Sequence, residues 1–378
     1  MPKLGHYCVG DLKVYSKIEA IELHQKTGIH PHWDFNDPVF SSYDWTVEPT
    51  DNILELYRKR ARQLREEYDH IVLFWSGGAD SETTLQSFIS NDIQLDEIVS
   101  YSNYEGSGDK TDAMNSELFY RTFPQWDAIK ESCPWMKYRV IDLTQRTMDY
   151  FENSKLNLDW IYNMNMMFSP NAVARDGLVM SIKEWADIVH SGKKLCILWG
   201  MEKPRIVHEN NRYSFRFIDI FDHGPNVKSM AGLVPYHDEL FFWTPDMPEI
   251  VIKQAHLVMK FLEAQTDYSE YVVQKNTGLA YKESNGKRLW LNNHGLHRLI
   301  YPNWNINTFD AGKPPSLIYS PRDNWFYKIS DTDTSKMYWS MGIDRIFKTI
   351  PDYWKNDPSN VSAGLKACWS KDYYLTKD

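Results

Sequence analysis

Two rhythms of apolar positions alternate along the middle of the chain. Ile71-Val72-Leu73-Phe74-Trp75 and Leu195-Cys196-Ile197-Leu198-Trp199 are unbroken apolar runs. They are too short for helices and rich in β-branched and aromatic residues, so each predicts a buried strand. Glu97 to Ser102 and Tyr138 to Leu143 read as two further strands, and the alternation in Tyr213 to Asp219 as another. Between these runs the spacing turns helical. Thr50 to Tyr68 carries the stripe Ile53, Tyr57, Ala61, Leu64 and Tyr68, with Thr50 or Asp51 as its cap. Thr84, Leu85, Phe88 and Ile89 resume helical spacing after the first strand. Ala113 to Glu131 reads as helix interrupted near Pro124, and Asn171 to His190 as one helix ended by Ser191-Gly192. In Leu240 to Gln265, Asp246 and Glu249 have capping-box spacing, Pro248 sits in the first turn, and Val251, Ala255, Val258 and Leu262 form the buried stripe. Strands alternating with helices predict an α/β fold built on a doubly wound, mainly parallel sheet.

The flanks differ. Residues 1–49 form an N-terminal extension, with a helix over Ser16 to Thr27 and a Trp/Pro/Asp-rich connector from His30 to Pro49. Residues 50–265 hold the α/β unit. From 266 to 378, short segments alternate with Asn, Gly and Pro turns, and Trp290, Trp304, Trp325, Trp339, Trp354 and Trp369 all fall there. This predicts a mostly helical C-terminal region. His294 and His297 form an i,i+3 pair without a visible third ligand, so they are not read as a metal site.

Composition narrows the classes. Hydrophobic residues at 42% and charged residues at 25% describe an ordinary globular protein. Aromatics at 15% point to aromatic packing before stacking surfaces. A net charge of −9 argues against a general polyanion binder. Arg58, Lys59, Arg60, Arg62 and Arg65 crowd one predicted helix and read as a solvated face, partly neutralised by Glu55, Glu66 and Glu67. Lys253 and His256 likewise read as surface. No run approaches membrane-spanning length, and Met1-Pro2-Lys3 begins neither a signal pattern nor a glutamine-hydrolysing half with an N-terminal cysteine. Cys8, Cys133, Cys196 and Cys368 are scattered without a CxxC. Neither a disulfide framework nor a cysteine zinc site is expected, and a reducing cytoplasm is.

The candidate chemistry sits after the two apolar runs. Ser76-Gly77-Gly78-Ala79-Asp80-Ser81 follows the first. Strand, glycine turn and helix in succession aim backbone N–H groups and a helix N-terminus into one concavity, which suits phosphate. No GK[ST] follows the glycines, so this is not a Walker loop, and a cation must come from elsewhere. Gly200-Met201-Glu202-Lys203-Pro204-Arg205 follows the second run and supplies two cations, Lys203 and Arg205, with Arg212 and Arg216 as weaker alternatives. The loop Tyr104 to Asp109 lies beyond another strand's carboxyl end and reads equally as ligand-lining or plain surface.

Ser76 to Ser81 resembles the SGGxDS signature of the PP-loop ATP pyrophosphatases, and the order of strands and loops is most similar to the asparagine-synthetase-like branch, without its glutaminase domain. The resemblance implies an adenine nucleotide alpha hydrolase-like fold over roughly Tyr57 to Gln265. It implies ATP and Mg2+ as cofactors, cleavage to AMP and pyrophosphate, and an adenylated intermediate. Ser76, Gly77, Gly78, Ala79, Asp80, Ser81 and Gly200 would bind the nucleotide, Asp80 would face the metal, and Lys203 and Arg205 would meet the phosphates. Glu202 and Asp219 are weak candidates for acid/base or metal roles. The thiol sets of the sulfur-transfer branches, including the reductases' Cys-Gly-His signature, are missing. What remains is an AMP-forming ligase joining a small-molecule or carboxylate acceptor through a C–N bond. The alternatives are a nucleic-acid-modifying enzyme, acting on tRNA or DNA bases, whose aromatic C-terminal region stacks on bases, and a sulfur-transfer or sulfonucleotide enzyme.

Overall fold

The computed structural model describes residues 3–154, 157–164, 168–209, 212–219, 224–264, 271–274, 279–284, 287–290, 297–302, 323–355 and 364–377. The chain opens with a small antiparallel sheet in which β1 (His6–Val9) lies between β2 (Leu12–Val14) and β3 (His32–Asp34). A larger sheet follows, with the two apolar runs as interior strands: β4 (His70–Phe74), β5 (Glu97–Ser102), β6 (Lys137–Asp142) and β7 (Leu195–Trp199). A hairpin of β8 (Ile206–Glu209) and β9 (Arg212–Phe215) follows, and β10 (His237–Leu240) completes the large sheet in the order β10-β7-β4-β5-β6. All four of its pairings are parallel.

The order explains the burial. From β4 the chain steps outward through β5 to β6, then returns to the other side of β4 for β7 and β10. β4 and β7 are therefore central and carry unbroken apolar sequence. Consecutive side chains point to opposite faces. The Phe74 ring lies 6.2 Å from Trp185 of the helix Lys183–His190, while Trp75 donates through Nε1 to Glu82 of the helix Ala79–Ile89 at 3.0 Å. Helices thus cover both faces, as a doubly wound α/β fold requires. The helix Ile53–Glu67 has Asn52 as its cap, accepting from the Glu55 amide at 2.9 Å, in place of Thr50 or Asp51.

Several surface and helix expectations are corrected. Arg60 is fully buried, donating to Glu239 Oε2 at 2.7 Å. Asp246 does not close a capping box; its carboxylate takes Lys3 at 2.6 Å, and Pro248 is the cap of Glu249–Glu263. His256 is buried against the Trp45 carbonyl at 2.8 Å, and Lys253 donates to the Pro49 carbonyl at 3.0 Å. Asn171 to His190 is three short helices, Pro170–Ala174, Leu178–Ser181 and Lys183–His190, because Gly177 takes φ +72° and breaks the run first and Ile182, extended, breaks it again. Near Pro124 a π turn, Leu118–Thr122, absorbs the interruption.

The extension and the C-terminal segment close on the α/β unit. Lys17 Nζ donates to Asp219 Oδ2 at 2.7 Å with both side chains fully buried, and Tyr7 donates to the same oxygen at 2.8 Å. The Cys368 amide donates to Asp219 Oδ1 at 2.9 Å. Tyr373 and Tyr374 pair antiparallel with β9. The 266–378 region is less uniformly helical than the sequence predicts. It includes the antiparallel strands Tyr271–Gln274, Leu279–Ser284 and Lys287–Trp290 as well as the helix Thr334–Thr349. Trp325, Trp339 and Trp354 are buried, and Trp339 stacks on Trp160 at 4.9 Å, so these three serve packing. His294 lies outside the described residues. Among the described residues no helix is long and apolar enough to cross a membrane.

Candidate functional site

The sheet's winding puts the two chemistry-bearing loops side by side. β4 and β7 are adjacent and in register to their last residues, Phe74 opposite Trp199. This is where the strand order reverses, and in open parallel sheets ligands enter at the carboxyl ends there.

Each loop is fixed by local contacts. Trp75 leaves β4 with its amide donating to the Val99 carbonyl at 2.7 Å, and Ser100 Oγ donates to the Trp75 carbonyl at 2.6 Å. Gly77 takes φ +69°, and a Cβ there would lie 2.7 Å from Gln125 Oε1 and 3.0 Å from Arg121 Cβ, so only glycine fits. Gly78 is the extended cap of the eleven-residue helix Ala79–Ile89. That helix's first-turn N–H groups have no intrahelical acceptor and carry its positive end. Ser76 and Ser81 fold inward: the Ser76 amide donates to Ser81 Oγ at 3.2 Å, the Gly78 amide to Ser76 Oγ at 3.3 Å, and Ser81 Oγ to the Gly78 carbonyl at 3.3 Å. The two hydroxyls hold the turn's shape and take the Ser76 and Gly78 amides.

The second loop presses against the first. A Cβ on Gly200 would stand 2.7 Å from Thr84 Oγ1, 2.8 Å from Ser81 Cα and 3.0 Å from the Asp80 carbonyl. Two of those neighbours are backbone of the helix's first turn and cannot swing aside. Past Gly200, Lys203 Nζ reaches Asp80 Oδ2 at 2.6 Å. Arg205 is buried and donates to Glu202 Oε2 at 2.8 Å. We predict that Gly200→Ala pushes the loops apart and, if the two loops form an active site, lowers its rate at least about tenfold, the scale on which misplaced catalytic groups lose rate. Circular dichroism and steady-state rates on the same preparation check this, and a wild-type rate refutes it.

The remaining candidates separate. Arg216 forms a two-pronged pair with Asp372 at 2.7 and 2.9 Å, and Arg212 lies 3.8 Å over the Tyr374 ring, so both are bound to the C-terminal segment. Asp219 is fully buried among Lys17, Tyr7 and the Cys368 amide, which is a structural position. The loop Tyr104 to Asp109 is a short helix, Tyr104–Ser107, and a turn; it is tied to the end of β6, its Glu105 amide donating to Asp142 at 3.0 Å.

The site also gathers residues the sequence reading missed. Tyr301 is fully buried and faces Asp80; burial, then the negative charges of Asp80 and Glu202, push its phenol far above the ordinary range. Across the carboxyl ends, Tyr101, Phe74 and Trp199 stack in a row, with centroids 5.0 and 4.4 Å apart. The Arg175 guanidinium lies 5.3 Å from Tyr101 and 5.9 Å from Trp199. Burial pushes the Tyr101 phenol up to about 12, against the opposing charge of Arg175. Asp238 accepts from Trp199 Nε1 at 2.6 Å and from Ser229, and burial pushes its carboxyl up to about 6. The one signal for Arg175 was the Asp176-Gly177 turn beside it.

No family model matches the chain, and no curated protein matches its sequence. The donor set does fit magnesium. Mg2+ takes hard oxygen from one or two carboxylates and completes its shell with phosphates and water. Asp80 offers such a carboxylate at the mouth of the phosphate-shaped turn, and it already holds a cation, the Lys203 ammonium.

Proposed function

We propose that the chain is a PP-loop-type ATP pyrophosphatase with an adenine nucleotide alpha hydrolase-like fold. In this reading it forms AMP and pyrophosphate while activating an acceptor for C–N bond formation. One observation carries the reading: the Ser76–Ser81 turn and the Gly200–Arg205 loop meet where the strand order reverses, with Lys203 2.6 Å from Asp80. In this reading the backbone of Gly77, Gly78 and Ala79 receives the phosphates, with Ser76 and Ser81 shaping the turn. Asp80 would hold magnesium, which would supply charge neutralisation for the leaving pyrophosphate. Lys203 turns from Asp80 to the phosphate oxygens when nucleotide binds. An acceptor oxygen displaces pyrophosphate at the α-phosphorus, and a nitrogen nucleophile then displaces AMP. Arg205 supports the loop through Glu202.

The thiols weigh against sulfur transfer. Cys133, Cys196 and Cys368 are buried, and burial raises Cys196 well above, and Cys368 up to about 12 from, an ordinary thiol's pKa. The basic helix weighs against nucleic acid. Arg58 pairs with Glu55 at 2.6 Å, Lys59 with Asp51 at 2.6 Å, Arg65 with Asp96 at 2.6 Å, and Arg60 is buried. The test is incubation with ATP and Mg2+ across a panel of carboxylates, with ammonia or amines, separating AMP and pyrophosphate from ADP and phosphate. AMP formation dependent on an acceptor is expected, and ADP as the sole nucleotide product overturns the reading.

A further inference from the structure

We propose that the outer face of β1 and β3 is a binding site for a divalent transition-metal ion of the Zn2+ type, held by His6, Cys8 and Asp34 with His32 as the fourth ligand. The strand register makes the cluster. His6 pairs with Asp34, and Cys8 with His32, in an antiparallel ladder. Directly opposed residues share a face, and so do residues two apart along a strand. All four side chains therefore stand on one face. Between them Tyr7, Val9 and Trp33 point the other way and are buried in the core, which fixes that register against slippage.

The donor geometry is close to what a metal needs. One ligand atom each from His6, Cys8 and Asp34 lies within 4.8 Å of the others, and His6 Nε2 is 3.7 Å from Asp34 Oδ2. Bonds of about 2.0–2.3 Å at the tetrahedral angle put ligand atoms roughly 3.3–3.7 Å apart. Closing the set thus takes side-chain rotation of about 1 Å with no backbone movement. His32, opposite Cys8, is exposed and rotates freely into the fourth place. An oriented carboxylate is also in place. The Asp37 amide donates to Asp34 Oδ1 at 2.8 Å, leaving Oδ2 toward His6, the kind of outer support metal ligands receive. Asp37's own carboxylate is taken by Tyr373 at 2.7 Å, so it belongs to the support.

The donor chemistry selects the metal class. One thiolate, two imidazoles and one carboxylate match borderline ions such as Zn2+ or Co2+, not Mg2+ or Ca2+. A cysteine ligates as its thiolate, so binding releases the Cys8 proton. Lys13, beside Cys8 on β2, has its ammonium turned over the Tyr15 ring at 5.7 Å. The sequence hid the site because its ligands are two His-x-ligand pairs, His6-x-Cys8 and His32-x-Asp34, far apart in the chain and joined only by strand pairing.

Cobalt titration of the full chain tests this without reference to ATP turnover. Cys8 is the only cysteine that is not buried, so a sulfur-to-cobalt charge-transfer band in the near ultraviolet reports on it. The expected result is that band together with four-coordinate visible bands, both bleached by one equivalent of Zn2+, and a Zn2+-dependent rise in Tm. Cys8→Ser, a near-isosteric change at a half-buried position, should keep the circular dichroism spectrum and lose both the band and the Tm rise. His6→Ala and Asp34→Asn should each weaken Co2+ binding by at least about tenfold. Wild-type protein without the band, or a band that survives Cys8→Ser, overturns the site. An unchanged visible spectrum in His32→Ala overturns the fourth ligand.

Discussion

Lys203→Ala should slow ATP turnover on the order of a hundredfold while shifting folding stability by no more than about 1 kcal/mol. The two numbers come from two descriptions of one contact. As an ion pair, Lys203 and Asp80 join two loops with both side chains partly open, 29% and 23% exposed. Such pairs contribute little to folding, because water already solvates the separated charges. On the proposed reading the contact is catalytic, and the ammonium would matter most as pyrophosphate gathers charge on leaving. The Ser76–Ser81 turn supplies dipoles but no full positive charge of its own, so on the proposed reading removing the Lys203 ammonium should act on the transition state more than on ATP binding. Asp80→Ala should abolish turnover with the fold retained, since on the proposed reading its carboxylate would hold the metal. Arg205→Ala is a poorer test. Arg205 is buried, and its loss strands Glu202 without its partner, so stability falls with rate. Rates at saturating ATP, ATP affinity and Tm should be measured for each variant. If Lys203→Ala keeps a normal rate and loses stability, the pair is only a clasp between loops.

The parts of this arrangement that were legible in the sequence are the local ones. The unbroken runs at β4 and β7 declared buried strands because both faces of a central parallel strand are covered, and Glu97–Ser102 and Leu195–Trp199 have the bounds the pattern gave. The glycine turn and the cations were visible as residue types at strand ends. What stayed hidden was pairing over distance. Nothing near Arg60 says it is buried, since its partner Glu239 is 179 positions away. Tyr301 meets Asp80 only because the chain returns past the sheet, and no local pattern marks that. His256 and Lys253 lie on a helix whose outward face is covered by residues 45–49, so a helix-surface reading failed where a distant segment packed on it. The long helix expected over Asn171 to His190 failed for a local reason, in that Gly177 at φ +72° outweighed the apolar spacing around it.

The same dependence on distant pairing sets the second large expectation, at Asp219. Asp219→Ala should destabilise the fold by about 3–5 kcal/mol, the range for breaking a buried pair by removing one partner. The loss has identifiable parts. Lys17 would keep a charge at a fully buried position with no counter-charge, and the Tyr7 hydroxyl and the Cys368 amide would lose their acceptor. These three donors come from β1, the first helix and the C-terminal segment, so the carboxylate is where the two ends of the chain meet the β8–β9 side of the fold. Adding Lys17→Met to Asp219→Ala should recover part of the loss, because it removes the stranded charge and leaves only the two neutral donors, about 1–3 kcal/mol each. Turnover per folded molecule should stay near wild type in both variants, since Asp219 is sealed from any substrate. Urea unfolding of the wild type, the single and the double variant, with rates measured below the unfolding transition, separates the cases. A folded Asp219→Ala protein of wild-type stability but without turnover would move this carboxylate from the scaffold into the chemistry.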